Sequence, residues 1–128
     1  MRKFRQIIKV FCFSLLLLNF QCDKDDIHVN SCDDIVIVDN DIYTTIESDF
    51  FTIASAVIEE DCLKVSIFAS GCDPDNWELT LVDSENIAES MPPQRFLKLS
   101  VITNEACLAV FGKTESFDLK ALRIEGTS

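Results

Sequence analysis

Histidine is almost missing from this chain: there is one, His28. A Ser-His-Asp or Cys-His hydrolytic set needs an imidazole held within hydrogen-bond reach of its nucleophile. His28 sits in an acidic, linker-like stretch where nothing rigid would hold it. Glycine is scarce too, with only Gly71, Gly112 and Gly126. A phosphate cradle needs several glycines in one short turn, so none is expected. No Cys-x-x-Cys and no G-x-S-x-G occurs. Zinc ligands at their usual spacing are therefore lacking, as is a nucleophile elbow.

Positive charge is the next shortage. Eleven Lys and Arg face 22 Asp and Glu, a formal net charge of −11. Nucleic acid needs Lys and Arg against its phosphates, and anionic headgroups need the same, so neither is an expected partner. Carboxylate pairs are too numerous on such a chain for any one pair to mark a glycosidase. Asp39-Asn40-Asp41 and Asp73-Pro74-Asp75-Asn76 bring oxygen ligands together as calcium requires. Neither completes an EF-hand loop, and Asp and Asn are ordinary turn formers. The expectation is a protein that is not an enzyme and holds no metal and no cofactor.

One long apolar run is present, and it lies at the start. Arg2, Lys3, Arg5 and Lys9 precede the run Val10 to Phe20, which contains Leu15 to Leu18. A basic head before an apolar run of this length is a secretion-signal pattern. A membrane span would need about 20 apolar residues. Cys22 follows directly, in Leu18-Asn19-Phe20-Gln21-Cys22, where a lipobox cysteine would stand. Residues 1–21 thus read as a lipoprotein signal peptide and Cys22 as the lipidation site. Residues 22–34, with Asp23-Lys24-Asp25-Asp26, read as an acidic, flexible tether. Loss of 1–21 removes four basic residues and no acid, taking the net charge from −11 to −15. The expected location is the outer membrane or cell surface, held by a lipid anchor, with an envelope protein or glycan as partner.

Cys12 leaves with the signal. Cys32, Cys62, Cys72 and Cys107 remain besides Cys22. An even set in a small exported domain reads as two disulfides, and four cysteines permit three connectivities.

Residues 35–128 suffice for one core. Ile35 to Val38 is a β-branched run, closed as a turn by Asp39-Asn40-Asp41. Phe50 to Ile58 is longer, with β-branched and aromatic strand character. Cys62 to Ala69 alternates, Leu63, Val65, Ile67 and Ala69 against Lys64 and Ser66. This is a strand with one buried face. Trp77 to Leu81 and Phe96 to Thr103 alternate likewise. Asn104-Glu105 reads as a hairpin turn, Ala106 to Phe111 as a strand, Gly112 to Ser116 as a turn and Phe117 to Ile124 as the last strand. The best helical stretch, Ser84 to Ser90, is short. About seven short strands with turns between them predict an all-β, immunoglobulin-like sandwich of antiparallel strands.

Asp83 to Arg95 reads as one long loop. Prolines stiffen a loop and lower its ordering cost on binding. Met91, Pro92, Pro93, Gln94 and Arg95 are therefore the candidate recognition residues. They fit a binding or structural module, or a protease inhibitor offering the loop 83–95.

Ser70-Gly71-Cys72, Glu78-Leu79, Glu89 to Gln94, Glu105-Ala106-Cys107 and Phe117-Asp118-Leu119 resemble a group of uncharacterised Bacteroidetes-type envelope lipoproteins. Asp23-Lys24-Asp25-Asp26 is similar to the acidic export tag of such surface lipoproteins. The resemblance covers Gly71 to Leu122 and implies an envelope location, with no assigned activity. It also implies that Cys72 and Cys107 form a pair, and both stand at strand ends, which gather at the rims of a sandwich. The expected connectivity is then Cys72–Cys107 with Cys32–Cys62.

Overall fold

The computed structural model describes residues 31–124. The signal 1–21, Cys22 and most of the tether lie outside the described residues. Seven strands form: β1 (Asp34–Ile35), β2 (Ile37–Val38), β3 (Phe51–Glu59), β4 (Cys62–Ser70), β5 (Glu78–Ala88), β6 (Gln94–Ile102) and β7 (Val110–Asp118). They make a sheet of order β1-β7-β4-β3 and a second of order β2-β5-β6. The all-β sandwich expected from the alternating runs is the fold. Its core lies where the inner faces meet: Val65, Ile67 and Ala69 of β4, Leu79 and Leu81 of β5, and Val101 and Phe117, with Trp77 and Val36 beside them. Burying each Val, Leu, Ile or Phe side chain among them contributes roughly 1.5–3 kcal/mol before chain entropy is counted.

The run Ile35 to Val38 serves both sheets. Asp34 and Ile35 pair in parallel with Phe117 and Asp118, while Ile37 and Val38 pair in parallel with Val82 and Asp83. Val36, at the crossing, is buried in the core. The first two strands are therefore parallel to their neighbours, and the remaining pairings are antiparallel. Asp39-Asn40-Asp41 begins a helix, α1 (Asn40–Thr45), where a turn was expected. Asp39 is its N-cap, accepting from Ile42 N at 2.9 Å. Such a cap is chemically the same as a turn aspartate, so the two read alike in sequence. α1 covers the outer face of β5. Lys98 of β6 donates to Tyr43 O and lies 4.9 Å from the centre of the Tyr43 ring.

Two further readings need correction. Gly112 to Ser116 is the middle of β7, and Phe117 to Asp118 its end; the chain then makes a 3-10 turn at Lys120–Leu122 in place of a last strand. β7 bonds to strands on both sides, and that pairing overrides the weak strand propensity of glycine. Asn104-Glu105 is no hairpin turn, because β6 and β7 belong to different sheets. Residues 103–109 cross from one sheet to the other. The folded body also reaches back into the acidic segment. Cys32 is bonded to Cys62, Asp33 Oδ2 accepts from Ser116 N and Oγ, and Asp34 is in β1.

Candidate functional site

The stretch 83–95 is mostly strand. β5 runs on to Ala88 and β6 starts at Gln94, with a bulge between Asp83 and Ile87. Only Glu89 to Pro93 form a loop. Its polar atoms close on themselves: Ser90 N donates to Ala88 O at 2.9 Å and Ser90 Oγ to Pro92 O at 2.6 Å. Met91 at the tip is fully exposed. Gln94 and Arg95 belong to β6, so the candidate recognition set is split between a short tip and a strand.

Arg95 does not project to solvent as a recognition residue would. Its Nη1 donates to Asp83 Oδ1 at 2.8 Å. Asp83 shares its register with Leu97 and stands wholly buried in the interior. Its Oδ1 also accepts from Glu85 N at 2.8 Å, while Oδ2 and Arg95 Nε have no hydrogen-bond partner. The bulge that hides Asp83 places Glu85 at φ 62°. The carboxylate bond to Glu85 N holds that left-handed turn.

Beside this pair lies an open cleft of about 380 Å³, lined by Pro92, Pro93, Arg95, Leu97, Leu119, Leu122, Arg123 and Ile124. The C-terminal segment forms its second wall. Leu119 N donates to Asp61 O at 2.8 Å, and Arg123 Nη2 donates to Asp61 Oδ1, which ties this wall to the β3–β4 turn. That bond raises the Arg123 pKa above its ordinary value. Arg95 and Arg123 are the only arginines among the described residues, and both line this cleft. Each already faces a carboxylate, so the cleft is apolar and close to charge-balanced. Guanidinium N–H groups beyond the ion pairs remain as donors. An apolar body carrying a carbonyl or other acceptor fits such a lining.

Pro92, Pro93 and Arg95 are legible in the sequence as site residues; Asp83, Leu119, Leu122 and Arg123 are not. Asp83 carried a signal: it is a lone acid closing the apolar run Leu79-Thr80-Leu81-Val82. The C-terminal residues carried none, because their place depends on the return of the chain past β7.

A second cleft of about 400 Å³ lies by the Cys32–Cys62 bridge, lined by Ser31, Asp33, Glu59, Glu60, Cys62, Lys64, Thr114 and Ser116. Ser31, Asp33, Thr114 and Ser116 in it are bonded within the fold. The Ser116 hydroxyl and backbone N–H bond to Asp33 and lower its pKa. Among the described residues, no group of three or more His, Cys, Asp and Glu is arranged to hold a metal ion. Asp73 instead caps a 3-10 turn, Pro74–Asn76, and accepts from Asp75 N at 3.0 Å.

Both disulfides have the expected partners, Cys32–Cys62 and Cys72–Cys107, with Cα separations of 5.7 and 5.0 Å. Around the second bridge, Glu105 Oε2 accepts from Cys72 N, Asp73 N and Trp77 Nε1. Those bonds, led by the one from Asp73, lower the Glu105 pKa. Gly71 fits against this knot; a Cβ there would meet both Glu105 Oε2 and Trp77 Nε1 at 2.6 Å.

No protein-family model, no curated protein and no solved structure matches the chain.

Proposed function

We propose that this protein is a lipid-anchored binding module of a bacterial envelope, and that the cleft at the β5–β6 end receives an apolar segment of a partner protein. The observation that carries this reading is the convergence of both arginines of the folded part on one apolar cleft, inside an otherwise acidic molecule. A hydrophobic lining with a few placed donors is the usual make-up of a binding pocket. Export is supported by the basic head and apolar run before Cys22 and by the two disulfides, which persist in oxidising compartments. The resemblance to envelope lipoproteins points the same way.

Two measurements test it. The intact mass of the membrane-extracted chain is expected to start at Cys22 with added acyl mass. A chain starting elsewhere and unchanged by Cys22→Ser would end the anchor. A photo-crosslinking residue at Pro93, used in the native envelope, is expected to trap one partner, and Leu122→Glu to abolish the adduct. An adduct indifferent to Leu122→Glu would show that the cleft is not the site.

A protease inhibitor is the second reading, favoured by the fully exposed Met91 at a stiffened tip. Arg95 is not available to it, being held by Asp83. Inhibition of an endopeptidase by the purified protein, lost in Met91→Gly, would support this reading over the first.

A further inference from the structure

β3 is the outer strand of the larger sheet. The sheets share an edge at β1 and β2, and counting from it leaves β3 beyond the last strand of the smaller sheet. The stretch 47–49 is bonded to the free edge of β6, through Asp49 N to Val101 O at 2.8 Å. Phe51, Ile53, Ala56 and Ile58 register with Ala69, Ile67, Val65 and Leu63, so they lie on the inner face. Yet Ile53 is 53% exposed and Ile58 63%. Thr52, Ser55 and Val57 lie on the outer face. From Phe51 to Ile58 the strand has no charge and no proline. Exposed edges are usually guarded by lysine, proline, inward charges or short length. A bulge between Ile53 and Ser55 is the only such device here.

We propose that β3 is a self-association edge, where two copies of this chain pair antiparallel about a two-fold axis between Ala54 and Ser55. The strand's pattern selects this occupant. In this register Phe51 meets Ile58, Thr52 meets Val57, Ile53 meets Ala56 and Ala54 meets Ser55. Outside the Ala54–Ser55 step, every inner residue then faces an inner residue and every outer residue an outer one. A regular strand cannot do this about an axis between two residues, because side chains alternate strictly. The bulge supplies the one-residue offset, and in this register the two bulges face each other. Charge agrees. Copies of so acidic a chain repel over most of their surface, but here Glu59 falls opposite Phe50. Asp49 meets Glu60 only at the fringe, with its carboxylate turned to Thr103 N and Oγ1. The paired sheet would hold eight strands and join both apolar overhangs. An isologous contact of this kind is closed, so association stops at two.

The test uses the full chain, extracted in detergent and examined by sedimentation. A concentration-dependent dimer is expected. Ile53→Lys, at a side chain already half exposed, is expected to keep the β spectrum and thermal transition while raising the dimer dissociation constant at least roughly tenfold. Thr52→Cys with Val57→Cys should yield interchain bridges, and Thr52→Cys with Ser55→Cys should not. A native chain monomeric at all concentrations, a dimer indifferent to Ile53→Lys, or equal bridging by both cysteine pairs would overturn the proposal. Pairing of β3 with a strand of a different protein would do the same.

Discussion

Asp83 and Arg95 show how the chain tolerates a buried charge. The carboxylate is sealed in the interior, bonded through one oxygen, with the other unpartnered. Removing only the cation leaves the anion buried without a counter-charge, which typically costs about 3–5 kcal/mol. Arg95→Met is therefore expected to lower the urea midpoint sharply, and Asp83→Leu with Arg95→Leu to restore most of the loss.

The pH response also belongs to single residues. Bonds to Thr103 lower Asp49, as those to Ser116 and to the 72–73 turn lower Asp33 and Glu105. A lowered folded pKa gives stability that is present above the ordinary values, 3.8 for Asp and 4.5 for Glu, and is lost as pH falls through the folded values. Glu115 has the opposite sign. Burial raises its pKa, and Lys113 Nζ at 3.7 Å only partly offsets that. Its contribution is present below 4.5 and is lost as pH rises through the raised value. Thermal melts across pH 2–7 should therefore show a steep acid limb, shallower in Glu105→Gln. Glu115→Gln should be neutral or stabilising at pH 7.

At the scale of elements, strands buried on one face were legible. Cys62 to Ala69 and Phe96 to Thr103 differ from β4 and β6 by one or two residues, because period-two alternation records burial directly. What failed depended on partners distant in sequence. Gly112 reads as turn chemistry but sits mid-strand beneath the Phe68 ring, where a Cβ would come within 3.1 Å of Cε1. The prolines at 92 and 93 suggested a loop of more than a dozen residues; strand pairing consumes all but its tip. Helix α1 is too short for a period to show, so its only sequence signal is the cap. Asp39→Ala is expected to cost about 1 kcal/mol in chemical denaturation, the usual worth of an N-cap side chain. It should also loosen Tyr43 from Lys98, seen as faster amide exchange at residues 40–46.

For the whole molecule, the candidate site was half legible. Arg95 and the prolines stand out in the sequence, but the facing wall at Leu119 to Ile124 does not, because no local pattern tells that the stretch after β7 returns to the β5–β6 end. The two bridges close loops with sequence separations of 30 and 35. Cross-links over such loops typically contribute about 2–4 kcal/mol each, so reduction should lower the melting temperature markedly. A non-reducing peptide map should contain only Cys32–Cys62 and Cys72–Cys107 among the four.

The Cys32–Cys62 bridge also fixes where a pull on the N-terminal segment would be felt. Without it, tension would reach β1 and β2 first, each two residues long, and peel them away in sequence. With it, force passes through sulfur into the first residue of β4, a strand bonded to a neighbour on each side. The weakest strands, β1 and β2, then lie off the load path. Single-molecule extension from the N-terminus should show one high-force rupture when oxidised. After reduction a low-force step should precede it, lengthening the chain by the few residues between Cys32 and α1.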